Sequence, residues 1–171
     1  MAGPLRELLA TDHRQALEFF FQRLKDVSEA AVDEQELLYN ASVLAHYAQV
    51  STQAGFDLAA PSNLSVVFDH FVFDTTLSDD GPMLETAGAQ CLMLAGFFED
   101  QMRRRHNIRW YATLGATFLG RAAVREPSPP KAELLARMAS RFETWRQRHA
   151  RLSRDLRDQP FLLSPPESGN R

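Results

Sequence analysis

The stretch PPKAELLARMASRFETWRQRHARLSRDLR, residues 129–157, decides the fold. Leu135, Met138, Phe142, Trp145, His149, Leu152 and Leu156 follow one another at alternating intervals of three and four, which places them along one face of a helix. Ser128 can cap this helix, and Pro129 suits its first position because the missing N–H has no partner there in any case. Such a seam packs on a neighbouring helix at a small crossing angle.

Working outward, the segment REPSPP, residues 125–130, must end the preceding helix, because proline lacks the backbone donor and clashes with the turn before it. That helix starts at a cap, Asn107, and carries Trp110, Leu114, Phe118 and Ala122. Further back, SDDGP (78–82) combines a turn with a helix start, Asp79 or Asp80 capping and Pro82 in the first turn of a helix that runs to about Arg104. Pro61 and Ser62 offer a start for another helix through Leu64, Val67, Phe68, Phe71 and Val72, although the β-branched and aromatic content of VVFDHFVFDTT leaves a strand open there. Asp33 followed by Glu36 forms a capping-box pattern ahead of Leu37, Ala41, Leu44 and Ala48. The first helix extends from Pro4 to Leu24, with a break near Thr11 or Asp12. The expected fold is therefore all-α: a single compact bundle of five or six helices over residues 1–157, with a long basic C-terminal helix and a mobile tail, 158–171, rich in proline.

The 171 residues are 44% apolar and 24% charged, with a net charge of −3 and a pI near 5.9, and a chain of this size buries about 70% of the surface it exposes when unfolded. A lone cysteine, Cys91, excludes an internal disulfide or a cysteine zinc site. The acidic start, MAGPLRELL, with Glu7 and Asp12, lacks the features of a secretory signal, and the least polar run, 87–98, is far shorter than the roughly 20 residues that span a bilayer. These features point to a cytoplasmic protein without a membrane partner.

Gly88, Gly96, Gly115 and Gly120 lie inside helical patterns, alongside Ala87, Cys91, Ala95, Ala112 and Ala116. A helical glycine costs roughly 0.5–1 kcal/mol relative to alanine, so something large is expected to press on these positions, with the 12 phenylalanines as the obvious source. The aromatic residues either pack on these surfaces inside the core or line an apolar ligand pocket formed by Phe68, Phe71, Phe97, Phe98 and Trp110. Gly96, Phe97 and Phe98, followed by Trp110, Tyr111, Leu114 and Gly115, resemble the Gly-x-Phe-Phe and aromatic-Tyr-x-x-Leu-Gly segments of a group of bacterial all-helical proteins. The resemblance implies a helical fold and carries no activity with it.

Catalytic signatures do not emerge. No Glu-x-x-His, HExxH, Gly-rich phosphate loop or GxSxG elbow occurs, so neither a catalytic residue, a metal ligand set nor a cofactor is assigned. His70 with Asp74 is the best local pair, and it supplies two ligands where a catalytic zinc needs three. His46 is read as a buried, hydrogen-bonded imidazole. His149 lies on the seam, where an ionisable group is expensive unless paired or wet.

Charge is the least ordinary feature. Residues 1–100 hold 4 basic and 16 acidic side chains, whereas residues 101–157 hold 14 basic and 4 acidic ones. The basic surface comprises Arg103, Arg104, Arg105, Arg109, Arg137, Arg141, Arg148 and Arg151. Three readings follow: the acidic half neutralises this face within the chain or across a homo-oligomer, the face is merely solvated, or it binds nucleic acid or another polyanion. The expectation is a non-catalytic interaction or regulatory module acting through protein–protein contacts as a homodimer. The alternatives are a polyanion-binding face and a small apolar ligand or metal site near Phe71.

Overall fold

The computed structural model describes residues 13–28, 31–53, 80–103 and 107–158. All regular structure among them is helical: α1 (His13–Val27), α2 (Glu34–Gln53), α3 (Gly81–Leu92), a π-helical turn (Met93–Phe97), α4 (Glu99–Met102), α5 (Ile108–Arg125), α6 (Pro129–Ser140) and α7 (Phe142–Asp158). The all-α expectation holds. The chain groups into two compact units, one of Met1–Leu58 with Arg151–Arg171 and one of Ala59–Ala150. This division falls inside the 1–157 span that the sequence reads as one bundle, and α7 contributes to both units. The break near Thr11, the segment with Phe68, His70, Phe71 and Asp74, and the tail beyond Asp158 lie outside the described residues.

In the first unit, α1 buries Ala16, Phe20, Leu24 and Val27, and α2 packs on it with Leu37, Ala41, Leu44, Ala45 and Ala48. Asp33 caps α2 as its spacing to Glu36 predicts, its Oδ1 accepting from the Glu36 N–H at 3.0 Å. Asn40 is fully buried and satisfied locally, its Nδ2 donating to the Glu36 carbonyl at 2.7 Å. His46, expected inside, is exposed. It falls beside the buried stripe of Leu44, Ala45 and Ala48 rather than on it.

In the second unit, the caps read from sequence form at two of three helix starts. Asp80 Oδ1 accepts from the Met83 N–H and Asn107 Oδ1 from the Trp110 N–H, both at 3.2 Å. Ser128 occupies the cap position of α6 without a side-chain cap bond, and its own N–H donates to Glu126 Oε1 at 3.2 Å instead. The expected helix from Pro82 to Arg104 is interrupted by the π-helical turn, where the Phe98 N–H reaches back five residues to the Met93 carbonyl at 2.9 Å. Met93 to Phe98 are all buried, so this run packs on every side.

The expected C-terminal helix is likewise divided. Arg141 adopts φ −107° and ψ 18°, ending α6 just before α7 begins. The Ser140 hydroxyl donates to the Arg137 carbonyl at 3.0 Å, and the Arg141 N–H donates to the same oxygen at 2.9 Å. Back-bonding of this kind competes with the helical ladder and bends it. The seam stays buried across the break: Leu135, Met138, Phe142, Trp145, His149, Leu152 and Leu156 are each at most 2% exposed. Burial of each large apolar side chain contributes roughly 1.5–3 kcal/mol. A seam filled within one chain offers no surface to a second copy.

The glycines show how tightly the second unit closes. A Cβ on Gly115 would lie 2.4 Å from the Phe142 ring and 2.6 Å from Cys91 Cβ, so an aromatic knob does press there. At Gly88 the neighbour is the Leu119 side chain, at 2.6 Å. At Gly96 it is the α7 main chain itself, with the Arg146 carbonyl oxygen at 3.0 Å and His149 Cβ at 2.9 Å. Gly120 differs, since its nearest neighbour is Ala139 Cβ at 3.8 Å, ordinary contact distance.

Candidate functional site

Where α5 passes the α6–α7 break, the second unit carries an open groove of about 650 Å³. Its α5 wall consists of Ile108, Arg109, Ala112, Thr113, Ala116 and Thr117, residues that helical periodicity places on neighbouring stripes of one face. The opposite wall consists of Ala139, Ser140, Phe142, Glu143 and Arg146. Phe142 turns its ring down onto Gly115, so the surface left to the groove is mostly alanine and hydroxyl groups.

The polar groups are strongly constrained. Thr117 Oγ1 donates to the Thr113 carbonyl at 2.9 Å and Ser140 Oγ donates to the Arg137 carbonyl, so both hydroxyl protons are spent on main-chain oxygens. Glu143 is held by Arg146 through two bonds, Nε to Oε2 at 2.8 Å and Nη2 to Oε1 at 2.6 Å, with Gln147 donating to Oε1 at 3.2 Å. The Arg146 hydrogen bonds hold the Glu143 carboxyl below its ordinary range, with its charge and that of Arg109 adding to the effect. Arg146 also donates through Nη1 to the Ala95 carbonyl in the π-helical turn at 3.1 Å and lies 3.5 Å from Glu99 Oε1. Both side chains of that last pair are only 12% exposed, and Glu99 also takes Arg103 Nη2 at 2.6 Å. Arg146 thus ties the groove wall to the π-helical turn.

The sequence-predicted basic residues fall into separate local settings. Arg103 pairs with Glu99, Arg137 with Glu133 at 3.2 Å, and Arg148 stacks over the Trp145 ring at 4.5 Å. Arg141 is exposed at the helix break, and Arg151 reaches the Val27 carbonyl at 3.4 Å. Of this set, only Arg109 lines the groove; Arg104 and Arg105 lie outside the described residues. Neutralisation by the acidic half occurs at particular points, Arg146 and Arg103 with Glu99 and Lys131 with Glu85 at 2.9 Å.

The aromatic pocket residues also disperse. Phe97 and Phe98 are buried against each other edge to face, with ring centres 5.2 Å apart. Trp110 is 48% exposed and meets Tyr111 edge to face. None of the three lines the groove, and Phe68 and Phe71 lie outside the described residues. The groove's own residues left a trace in the sequence, the small-residue stripe through Ala112 and Ala116, which packing alone would also produce.

Two groups with chemical potential are closed off. Burial pushes the Cys91 thiol far above its usual range, where little thiolate forms. Burial likewise lowers His149 to about 3, so the imidazole is neutral at physiological pH. Among the described residues, no group of three or more His, Cys, Asp or Glu side chains could hold a metal ion, and no helix is long and apolar enough to cross a membrane. No protein-family model, curated protein or solved structure matches this chain.

Proposed function

We propose that the protein is a non-catalytic, cytoplasmic interaction module whose groove between α5 and the α6–α7 break receives an acidic amphipathic helix. The observation that carries this reading is the groove's construction: a floor of small side chains with Arg109 on one wall and the Glu143–Arg146 pair on the other. Of the three arginines of α5, Arg109 lines the groove, and the helix has no acidic residue. On the α6–α7 side the groove's charged residues, Glu143 and Arg146, balance each other. Alanines such as Ala112, Ala116 and Ala139 let a second helix approach closely, toward the short end of the usual 8–10 Å axis separation. A cation at the groove's edge, Arg109, steers a negative partner and favours one orientation of it.

The openness of the groove and the spent hydroxyl protons of Thr117 and Ser140 favour a macromolecular face over an enclosed small-molecule site, which normally converges several polar groups on its ligand. The burial of Cys91 and His149 favours a non-catalytic role. A cytoplasmic setting suits a chain whose single cysteine is a buried thiol.

The test uses a fluorescein-labelled amphipathic peptide with a Leu/Ala face and Glu flanks, its Lys-flanked counterpart, and a DNA duplex, followed by anisotropy at about 50 mM and about 300 mM salt. The acidic peptide is expected to bind, more weakly at the higher salt, and Thr113→Glu is expected to weaken it at least tenfold. Binding of the duplex without the peptide would replace this reading with the polyanion one. Equal binding of both peptides would remove the electrostatic basis.

A further inference from the structure

The charged side chains lining the groove are Arg109 from α5, and Glu143 and Arg146 from α7. Two cations and one carboxylate leave a single net positive charge, and the chemistry of the groove depends on where that charge resides. Glu143 faces a cation on each side. Arg146, on its own helix, takes both carboxylate oxygens, at 2.8 and 2.6 Å, while Arg109 stands on the opposite wall, near enough for its charge to act on Glu143. Arg109 is exposed and, among the described residues, makes no ion pair of its own.

Arg146 holds Glu143 because of what lies behind it. Its guanidinium donates to the Ala95 carbonyl at 3.1 Å and its side chain is only 12% exposed, so leaving its other N–H groups without an acceptor is costly. Glu99 does not satisfy it alone, since the same Oε1 that lies 3.5 Å from Arg146 accepts from Arg103 at 2.6 Å. Were Glu143 to turn to Arg109 instead, the surplus charge would rest on Arg146 inside the wall, and the open side of the groove would be neutral.

From this we infer that Arg146 is a positioning residue for partner recognition: by holding Glu143 on its own helix, it keeps Arg109 available to a carboxylate of the helix that enters the groove. This rests on the groove reading above, and it names the residue that makes the groove selective. Arg109 lies about two turns before Ala116 along α5, so the partner's carboxylate sits at one end of its small-residue face. The planar fork of arginine suits the clasp, because it meets both oxygens of one carboxylate at once.

The test measures anisotropy of the fluorescein-labelled acidic peptide, with glutamates at one end, on full-length variants at about 50 mM salt. Arg146→Gln frees Glu143 to neutralise Arg109 and should weaken binding at least about tenfold. Glu143→Gln alone should bind at least as tightly as the wild type, and the Arg146→Gln/Glu143→Gln double variant should recover to within about threefold of it. A merely structural role for Arg146 predicts no such rescue, because the second substitution removes a further partner. Arg109→Gln should also lose binding, and Arg146→Gln added to it should cause no further loss, since the clasp acts only through Arg109. Should far-UV circular dichroism show that Arg146→Gln does not fold, Arg146→Lys replaces it: a cation remains beside the Ala95 carbonyl and Glu99, the fork is gone, and the same loss and rescue are expected. A folded Arg146 variant that binds as the wild type does, or a double variant that binds no better than the single one, overturns the inference while the groove stands. If the peptide fails to bind the wild-type chain, the groove reading fails and this inference with it.

Discussion

Replacing Gly96 with alanine should destabilise the protein, while the same change at Gly120 should not. A methyl group on Gly96 would sit 3.0 Å from the Arg146 carbonyl oxygen and 2.9 Å from His149 Cβ. Carbon–carbon contacts are optimal at about 3.5–4.0 Å, so α7 must retreat by roughly 0.6–1 Å. The atoms in the way are main chain and Cβ, which no rotamer change can move. Overpacking of this kind costs about 1–3 kcal/mol, offset by the roughly 0.5–1 kcal/mol that alanine gains over glycine in a helix. The net loss at Gly96 is therefore about 1–2 kcal/mol. At Gly120 the new methyl meets nothing closer than 3.8 Å, so the helical gain of about 0.5–1 kcal/mol stands alone. The two variants should differ by about 2 kcal/mol, which at an m-value of about 2 kcal/mol/M separates their urea midpoints by about 1 M. Equilibrium urea unfolding followed by tryptophan fluorescence reads this directly. A Gly96→Ala midpoint at or above that of Gly120→Ala would show that α7 does not rest on the π-helical turn as described.

Three further outcomes follow from the same contacts. Arg146→Gln removes the cation shared by Glu143, Glu99 and the Ala95 carbonyl and should cost about 2 kcal/mol by urea unfolding, whereas Glu143→Gln, at a mostly exposed carboxylate, should cost under about 1 kcal/mol. Because His149 is lowered to about 3 by burial and titrates near 6.5 when unfolded, the unfolded chain binds the extra proton first as pH falls. Stability should then drop by about 2 kcal/mol between pH 7 and pH 5, and a His149→Gln variant should lack that component of the slope. Cys91 should resist a thiol reagent such as DTNB in the native protein and react fully in guanidinium; rapid native labelling would contradict its burial.

Helix type and several boundaries were legible because they depend on local chemistry. The three- and four-residue spacing of Leu135 to Leu156 sets a helical face whatever lies opposite it, and Asp33, Asp80 and Asn107 cap through bonds within one turn. The glycines also announced close packing, although the partner could not be named: Phe142 presses on Gly115, Leu119 on Gly88, and a helix backbone on Gly96. His46 on an apolar helix looked buried and is exposed, since a neighbour in sequence is not a neighbour across the packing face.

What the chain order alone determined is thus helical class, caps, sign of charge and the need for small residues where helices meet. The π-helical turn, the break at Arg141 and the groove between α5 and the α6–α7 break were decided by tertiary structure. Each depends on which surfaces meet: the α7 main chain against Gly96, the Arg146 guanidinium on the Ala95 carbonyl, and the Phe142 ring seated on Gly115. Residues far apart in sequence make those contacts, and their energies enter only once the helices are packed.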